Sequence, residues 1–421
     1  MELNIEPQVA MCDRKVSISI CDLPPLGKVK VDASMSLPWA EKIKFSSSAW
    51  FTADASGVVD LSKQTPDSGS YDFVDGMGLL AIMKPNDKKA LAKIGRNISV
   101  DRSLFIDITA QCERDTSSIR LERLFLAEGI KRQRISEEFM ADLFYSEEPG
   151  NRTVVFLGGS GSELGVNSVY AALLAAHGFN VLSVAYFREK GLPPKLSEIP
   201  LEYFDRVFAW LSRCPVTKGK EIYLFGISKG AELALLLASR NAFIKKVAAF
   251  APHAYCFQGI AFKNVSSWTH QGKSLPFIPL KTHVLIADAI RCFAKNEPFG
   301  FARMYEKCLA IASNKEEARI KIENSEADLL LFTSRQCNMW NTYDGCMVIM
   351  DMLRKSNYKH GYDLVVYEDA GEPYFPPYMI SYGEAKLKIA PRFVFSMGGT
   401  PKGNAHAQGD SWEKTIQFLK K

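Results

Sequence analysis

Two rhythms of hydrophobic and polar positions divide the chain. Up to about residue 145, apolar residues alternate with polar ones in short runs. Val16, Ile18 and Ile20 predict one strand, Val29 and Val31 a second, 104–108 a third and 119–126 a later one. Turn chemistry separates them: Leu23-Pro24-Pro25-Leu26-Gly27 cannot continue a ladder, because proline has no N–H to donate. Short strands broken in this way predict an all-β sandwich of the immunoglobulin-like kind. Lys30, Lys42 and Lys44 fall among these segments and read as a solvated face.

The segment Tyr145-Ser146-Glu147-Glu148-Pro149-Gly150-Asn151 is polar and carries Pro and Gly, and it places a boundary between domains 1–145 and 146–421. Beyond it the apolar runs become continuous: 154–157, 222–225, 247–250, 329–332 and 364–367, with 181–185 broken only by Ser183. Runs apolar on both faces predict parallel strands buried under helices. Helical periodicity fills the gaps at 169–177, 201–211, 229–239 and 343–355. The alternation predicts an α/β sheet covered on both sides.

Composition narrows the function classes. The 421 residues are 47% hydrophobic and 24% charged, enough to bury a core in two or three domains. Lys plus Arg is 52 and Asp plus Glu 47, a difference of +5 that is too small for a nucleic-acid partner. No run approaches the roughly 18 apolar residues of a membrane span. The densest, 231–238, includes Glu232 and reads as core. The sequence Met1-Glu2-Leu3-Asn4-Ile5-Glu6 lacks the charge and apolar pattern of a secretory signal, and Leu419-Lys420-Lys421 is no peroxisomal signal, so a cytoplasmic protein is expected. The nine cysteines form no C-x-x-C pair, which argues against a zinc ribbon or a disulfide framework, and no metal or cofactor is expected.

The most specific chemistry lies in Tyr223-Leu224-Phe225-Gly226-Ile227-Ser228-Lys229-Gly230-Ala231-Glu232-Leu233. An apolar run enters G-x-S-x-G and a helical pattern leaves it, the setting of a nucleophile elbow. Ser228 is the candidate nucleophile. Gly226 and Gly230 let strand and helix approach. The backbone N–H of Lys229 would face a developing oxyanion at a helix start. A second glycine turn, Leu157-Gly158-Gly159-Ser160-Gly161, follows the first apolar run of this half. Gly158 and Gly159 are candidates for the other oxyanion N–H, and a plain tight turn accounts for them equally well. A phosphate loop is less well supported, because the Gly-Lys-Ser/Thr ending is missing.

With these motifs in view, the chain resembles the acyl-CoA thioesterase and bile acid-CoA:amino acid N-acyltransferase family over nearly its whole length. The similar stretches are Met77-Gly78-Leu79-Leu80, Leu121-Glu122-Arg123-Leu124-Phe125-Leu126, Leu201-Glu202-Tyr203-Phe204, the elbow, Glu372-Pro373-Tyr374-Phe375-Pro376, and the tail from Ala405-His406-Ala407 to Asp410-Ser411-Trp412. The resemblance implies a β-sandwich joined to an α/β-hydrolase domain. It also implies acyl-CoA as substrate or ligand. The thioesterase branch uses Ser where the acyltransferase branch uses Cys, so Ser228 implies hydrolysis of fatty acyl-CoA through an acyl-serine.

The chain departs from that family at both partners of the nucleophile. The family's base is a His in a Gly-His step, which here reads Gly371-Glu372. Either Glu372 has replaced the His or a short deletion has removed it. The family's acid is an Asp three residues before a Trp, and here Cys337 stands three residues before Trp340. A serine hydroxyl is a poor nucleophile without a base, and Glu, with an ordinary pKa of about 4.3, is a weak one unless burial raises it. A thiol cannot orient an imidazole as a carboxylate does.

His253, just after the run 247–250, is the best relocated base, beside the simpler reading of a loop or supporting His. His177, at a helix end, reads as structural. His406 is expected in a loop ahead of the last helix. Asp344 and Asp369 are alternative acids, although a solvated face accounts for either. The stretch 372–403, rich in Pro and aromatic residues, is a candidate wall for an acyl pocket or a packed surface loop. Three functions stay open: a thioesterase with an unusual base, a catalytically impaired relative that binds acyl-CoA or a protein partner, and another serine hydrolase, which the family resemblance disfavours.

Overall fold

The structure is a computed structural model. It describes the chain apart from residues 87–97, 149, 162, 262, 373–375, 379–385 and 392, and it describes 386–390 as backbone only. The first domain is the expected sandwich. One sheet joins Glu2–Glu6, Ser17–Cys21 and Val59–Asp60. The larger sheet is built on Lys28–Leu37, Ala40–Thr52, Leu104–Cys112 and Asp115–Leu124. Alternation sets the faces: Val29, Val31, Ala33, Met35 and Leu37 all turn inward from a single strand. Lys42 and Lys44 turn outward, and Lys30 pairs with Asp32 at 2.9 Å. The 13-residue strand Ala40–Thr52 has no counterpart among the sequence expectations. Its polar centre, Ser46-Ser47-Ser48, hides the period.

The second domain is an eight-stranded sheet. Its strands are β1 (Ile130–Ile135), β2 (Met140–Ser146), β3 (Arg152–Leu157), β4 (Asn180–Ala185), β5 (Glu221–Ile227), β6 (Ile244–Phe250), β7 (Asp328–Ser334) and β8 (Tyr362–Tyr367). The order is β1-β2-β4-β3-β5-β6-β7-β8. β2 runs antiparallel to both β1 and β4, and from β4 onward the strands are parallel. This is the α/β-hydrolase arrangement that the resemblance implied. The boundary expected between 145 and 146 therefore falls inside this sheet, whose edge already begins at Ile130. The edge strand β1 is exposed and polar between its two isoleucines, so hydropathy does not mark it as part of the buried sheet.

Every residue of β4 is buried, as continuous apolar runs require. The helices are α1 (Leu164–Ala175), α2 (Glu202–Arg213), α3 (Lys229–Ala238), α4 (Thr282–Lys295), α5 (Ala302–Ile311), α6 (Thr342–Lys355) and α7 (Pro401–Lys420). α3 is buried along its whole length, which is why its sequence is apolar on all sides. Among the described residues, no helix is long and apolar enough to cross a membrane. α7 starts at Pro401 under a Thr400 side-chain cap, so His406 lies within the last helix rather than ahead of it.

Candidate active site

Ser228 stands between β5 and α3 with φ 55° and ψ −119°, a strained conformation that non-glycine residues seldom adopt. The backbone around it holds that strain in place. Its N–H donates to Phe250 O on β6 at 2.8 Å, and its carbonyl accepts from Ala231 and Glu232 in the first turn of α3. The flanking glycines are required by space. A Cβ on Gly226 would lie 2.3 Å from Gly230 O, and one on Gly230 would lie 2.0 Å from Leu157 O. The residue Ser228 is partly exposed.

The first turn of α3 also holds Lys229, the expected oxyanion donor. Lys229 is the first helical residue, and N–H groups in that turn have no acceptor inside the helix. Its side chain turns away into the core, where Nζ donates to Glu232 Oε1 at 2.6 Å beneath the Trp268 ring. Trp268 Nε1 donates to the same oxygen at 2.7 Å. Burial raises the Glu232 carboxyl above its usual range, against the pull of Lys229 and Trp268. Gly158 and Gly159 follow β3 and lie against the elbow. A Cβ on Gly159 would come within 3.2 Å of Ser228 Cβ, and the Gly158 carbonyl is held by the Tyr186 hydroxyl from the end of β4.

The two substituted family positions meet at this serine. Glu372 follows β8; its carboxylate accepts from Cys337, whose Sγ lies 3.6 Å from Oε2, and it lies near enough to Ser228 for the serine hydroxyl to favour its ionised form. The residue keeps a little exposed surface, but its carboxyl is enclosed. That burial pushes its pKa up to about 7, and the bonds from Ser228 and Cys337 oppose the rise. Burial and the neighbouring Glu372 charge push the Cys337 thiol up as well, so it stays protonated.

A third segment, 397–399, read from sequence only as part of a pocket wall or surface loop, ties the two positions together. Cys337 bridges Gly398, Asn338 N donates to Met397 O at 3.2 Å, and Glu372 N donates to the same carbonyl at 3.3 Å. Gly371 N donates to Asn404 Oδ1 at 2.8 Å, and Gly371 O accepts from Ser334. Gly398 has φ 91°, and a Cβ there would sit 1.7 Å from Gln336 O. The adjacent glycines 398 and 399 before a Thr-Pro helix start were the signal available. The Pro373-Tyr374-Phe375 part of the family-like motif, and much of the stretch 372–403, lie outside the described residues.

His253 does follow β6, but its ring is fully buried among Tyr255, Phe257 and Trp340, against Gly345 of α6. Its Nδ1 accepts from Tyr255 N at 3.3 Å, and among the described residues no hydrogen bond joins it to Ser228. Burial and the nearby Lys229 charge push its pKa down to about 3. His177 pairs with Asp13 at 2.5 Å, and His406 packs edge-on against Tyr367. Asp344 and Asp369 are exposed and bonded to Asn341 and Gln336.

A family model described as BAAT / Acyl-CoA thioester hydrolase C terminal matches residues 199–421, and one described as Acyl-CoA thioester hydrolase/BAAT N-terminal region matches 13–137. Acyl-coenzyme A thioesterase 6 of Mus musculus is 28% identical, the match covering 100% of this chain and 96% of the relative. The mitochondrial Acyl-coenzyme A thioesterase 2 of Homo sapiens is 27% identical, with 100% and 84% covered. Bile acid-CoA:amino acid N-acyltransferase of Mus musculus is 26% identical, with 100% and 97% covered. With both halves matched, the chain belongs to the family of acyl-CoA thioester hydrolases and bile acid-CoA:amino acid N-acyltransferases.

Proposed function

We propose that this protein hydrolyses acyl-CoA thioesters in the cytoplasm, with Ser228 as nucleophile and Glu372 as general base. One observation carries the reading: the Ser228 hydroxyl faces a carboxylate whose burial brings its pKa to about 7. A base works best when its pKa lies near the operating pH, and enclosure moves Glu372 into that range. Ser228 Oγ attacks the thioester carbonyl while its proton passes to Glu372. The oxyanion forms beside the amide of Lys229 and the Gly158-Gly159 turn. The C–S bond then breaks, and CoA takes the proton from Glu372 as it leaves. A thiol ionises near pH 8.5, so a carboxylic acid of pKa about 7 can protonate the departing thiolate downhill. Water, deprotonated by Glu372, then attacks the acyl-serine, and Glu372 returns that proton to Ser228 Oγ as the fatty acid leaves.

A thioester suits this modest base because its leaving group needs little help, unlike an amine. The impaired-relative reading loses its main support, since the base position holds a carboxylate in contact with the nucleophile. Release of free CoA from acyl-CoA substrates tests the proposal. Ser228→Ala and Glu372→Gln are each expected to lose about 10²-fold or more, and kcat/KM for the wild type should rise with pH through about 7, because only ionised Glu372 accepts the proton. Turnover retained by Ser228→Ala would remove the elbow from the mechanism.

A further inference from the structure

We infer that Cys337 is a positioning residue for Glu372, and that thiol and carboxylate form a matched pair in which neither residue suits the other's usual partner. The inference rests on Glu372 being the base, and it adds the reason why the acid position holds a neutral donor.

The argument is one of charge. In a Ser-His-carboxylate arrangement the base becomes a cation when it takes the serine proton, and the carboxylate behind it stabilises that cation. Here the base starts as an anion and becomes neutral, so no cation forms. A carboxylate at position 337 would lie against Glu372, and two carboxylates sharing a site cannot both ionise readily. A protonated thiol does the opposite. Its S–H donates to Oε2, which fixes the direction of Glu372 and favours its ionised form. The backbones of both residues are tied to the segment 397–399, so the contact does not depend on side-chain chance. His at 372 with Cys at 337 would leave an imidazolium without its counter-charge. Glu with Asp would leave an anion pair. The structure assigns Cys337 to Glu372 as Asp is assigned to His.

The test is the pH profile of kcat/KM on an acyl-CoA, measured on the full chain. Cys337→Asp is expected to move the midpoint upward by about one unit or more, which is roughly a tenfold loss below it. Cys337→Ser, which keeps a donor, should hold the midpoint near wild type, while Cys337→Ala, which removes it, should raise the midpoint. Combining Glu372→His with Cys337→Asp should exceed Glu372→His alone by about 10²-fold, because the imidazolium regains its partner. Equal midpoints for Cys337→Ser and Cys337→Ala would overturn the inference even if Cys337→Asp fails to fold. So would Glu372→His being equally active with Cys or Asp at 337. Ser228→Ala and Glu372→Gln, run alongside, separate the two failures: if they keep turnover, the assignment of the site falls, whereas if they lose it and the midpoints do not move, only the role of Cys337 falls.

Discussion

Glu372 sets stability against chemistry within one side chain. Its carboxyl ionises near 4.5 when free and near 7 in the fold, because burial disfavours the charge. The folded state therefore holds the proton more tightly than the unfolded chain. The stability from this group is full below about 4.5 and is lost as pH rises through about 7. Glu372→Gln, which carries no charge to bury, should raise the melting temperature at pH 8 and leave it nearly unchanged at pH 4.5, while turnover falls about 10²–10⁴-fold. Melts at the two pH values check this, and an equal shift at both would show that the carboxyl is not desolvated. At this scale the sequence was legible where chemistry is contiguous. Ser228 is fixed by neighbours on either side of it, so its role shows in the string. Glu372 reads only as a substitution, because the burial that raises its pKa comes from segments far away along the chain. His253 is the converse: its position after β6 suggests the sheet edge, but the ring turns inward beside Trp340, and only packing shows that.

Among the elements, two turns beside Ser228 and Glu372 rely on missing side chains. The turn after β3 touches the elbow through Gly159, where an added Cβ would lie 3.2 Å from Ser228 Cβ and 3.1 Å from Ile227 O. That is tight rather than impossible. Gly159→Ala should therefore fold with a melting temperature close to wild type and lose roughly 10- to 100-fold in kcat, since small displacements at a reacting centre are costly. A melt beside single-turnover kinetics separates the two effects, and an unchanged kcat would place this turn outside the site. Gly398 is different in kind. With φ 91° and Gln336 O only 1.7 Å from an added Cβ, Gly398→Ala should unlock both Cys337 and Glu372 and destabilise the fold as well. The strands that carry these loops were legible because parallel strands read as unbroken apolar runs. The segment 397–399 was not. Its role is to bond the backbones of 337–338 and 372, and backbone bonding leaves little trace in side-chain pattern. α4 and α5, between β6 and β7, escaped for a related reason. Ile286, Ile290 and Phe293 remain exposed on α4, which blurs its inward face.

The whole molecule is joined where the sandwich meets the hydrolase sheet. One apolar core runs from Leu3, Ile18 and Val31 in the first domain to Tyr170, Phe225 and Trp412 in the second. Tyr170 and Phe225 each pack near the Trp412 ring of α7, at 6.3 and 6.4 Å. At the seam lies Asp13, a buried carboxylate from the first domain. It accepts from Trp412 Nε1 at 2.9 Å and pairs with His177 beyond α1 at 2.5 Å. Burial alone would raise its pKa, but the bonds from His177 and Trp412 outweigh that and hold it below its ordinary 3.8. Its stabilisation is therefore present above about 3.8 and is lost as pH falls through the depressed folded value. Asp13→Ala strands two buried groups without an acceptor and should cost about 3 kcal/mol near neutral pH. Because the apolar core is shared, the loss should lower one cooperative transition by several degrees rather than release the sandwich separately. The gap between wild type and variant should narrow as the pH drops below about 3.8, where the unfolded chain's carboxylate takes up a proton before the folded one does. Calorimetry across pH 3 to 8 checks both statements. Two resolved transitions in Asp13→Ala would mean that this one buried carboxylate, and not the shared apolar core, makes the two domains unfold together.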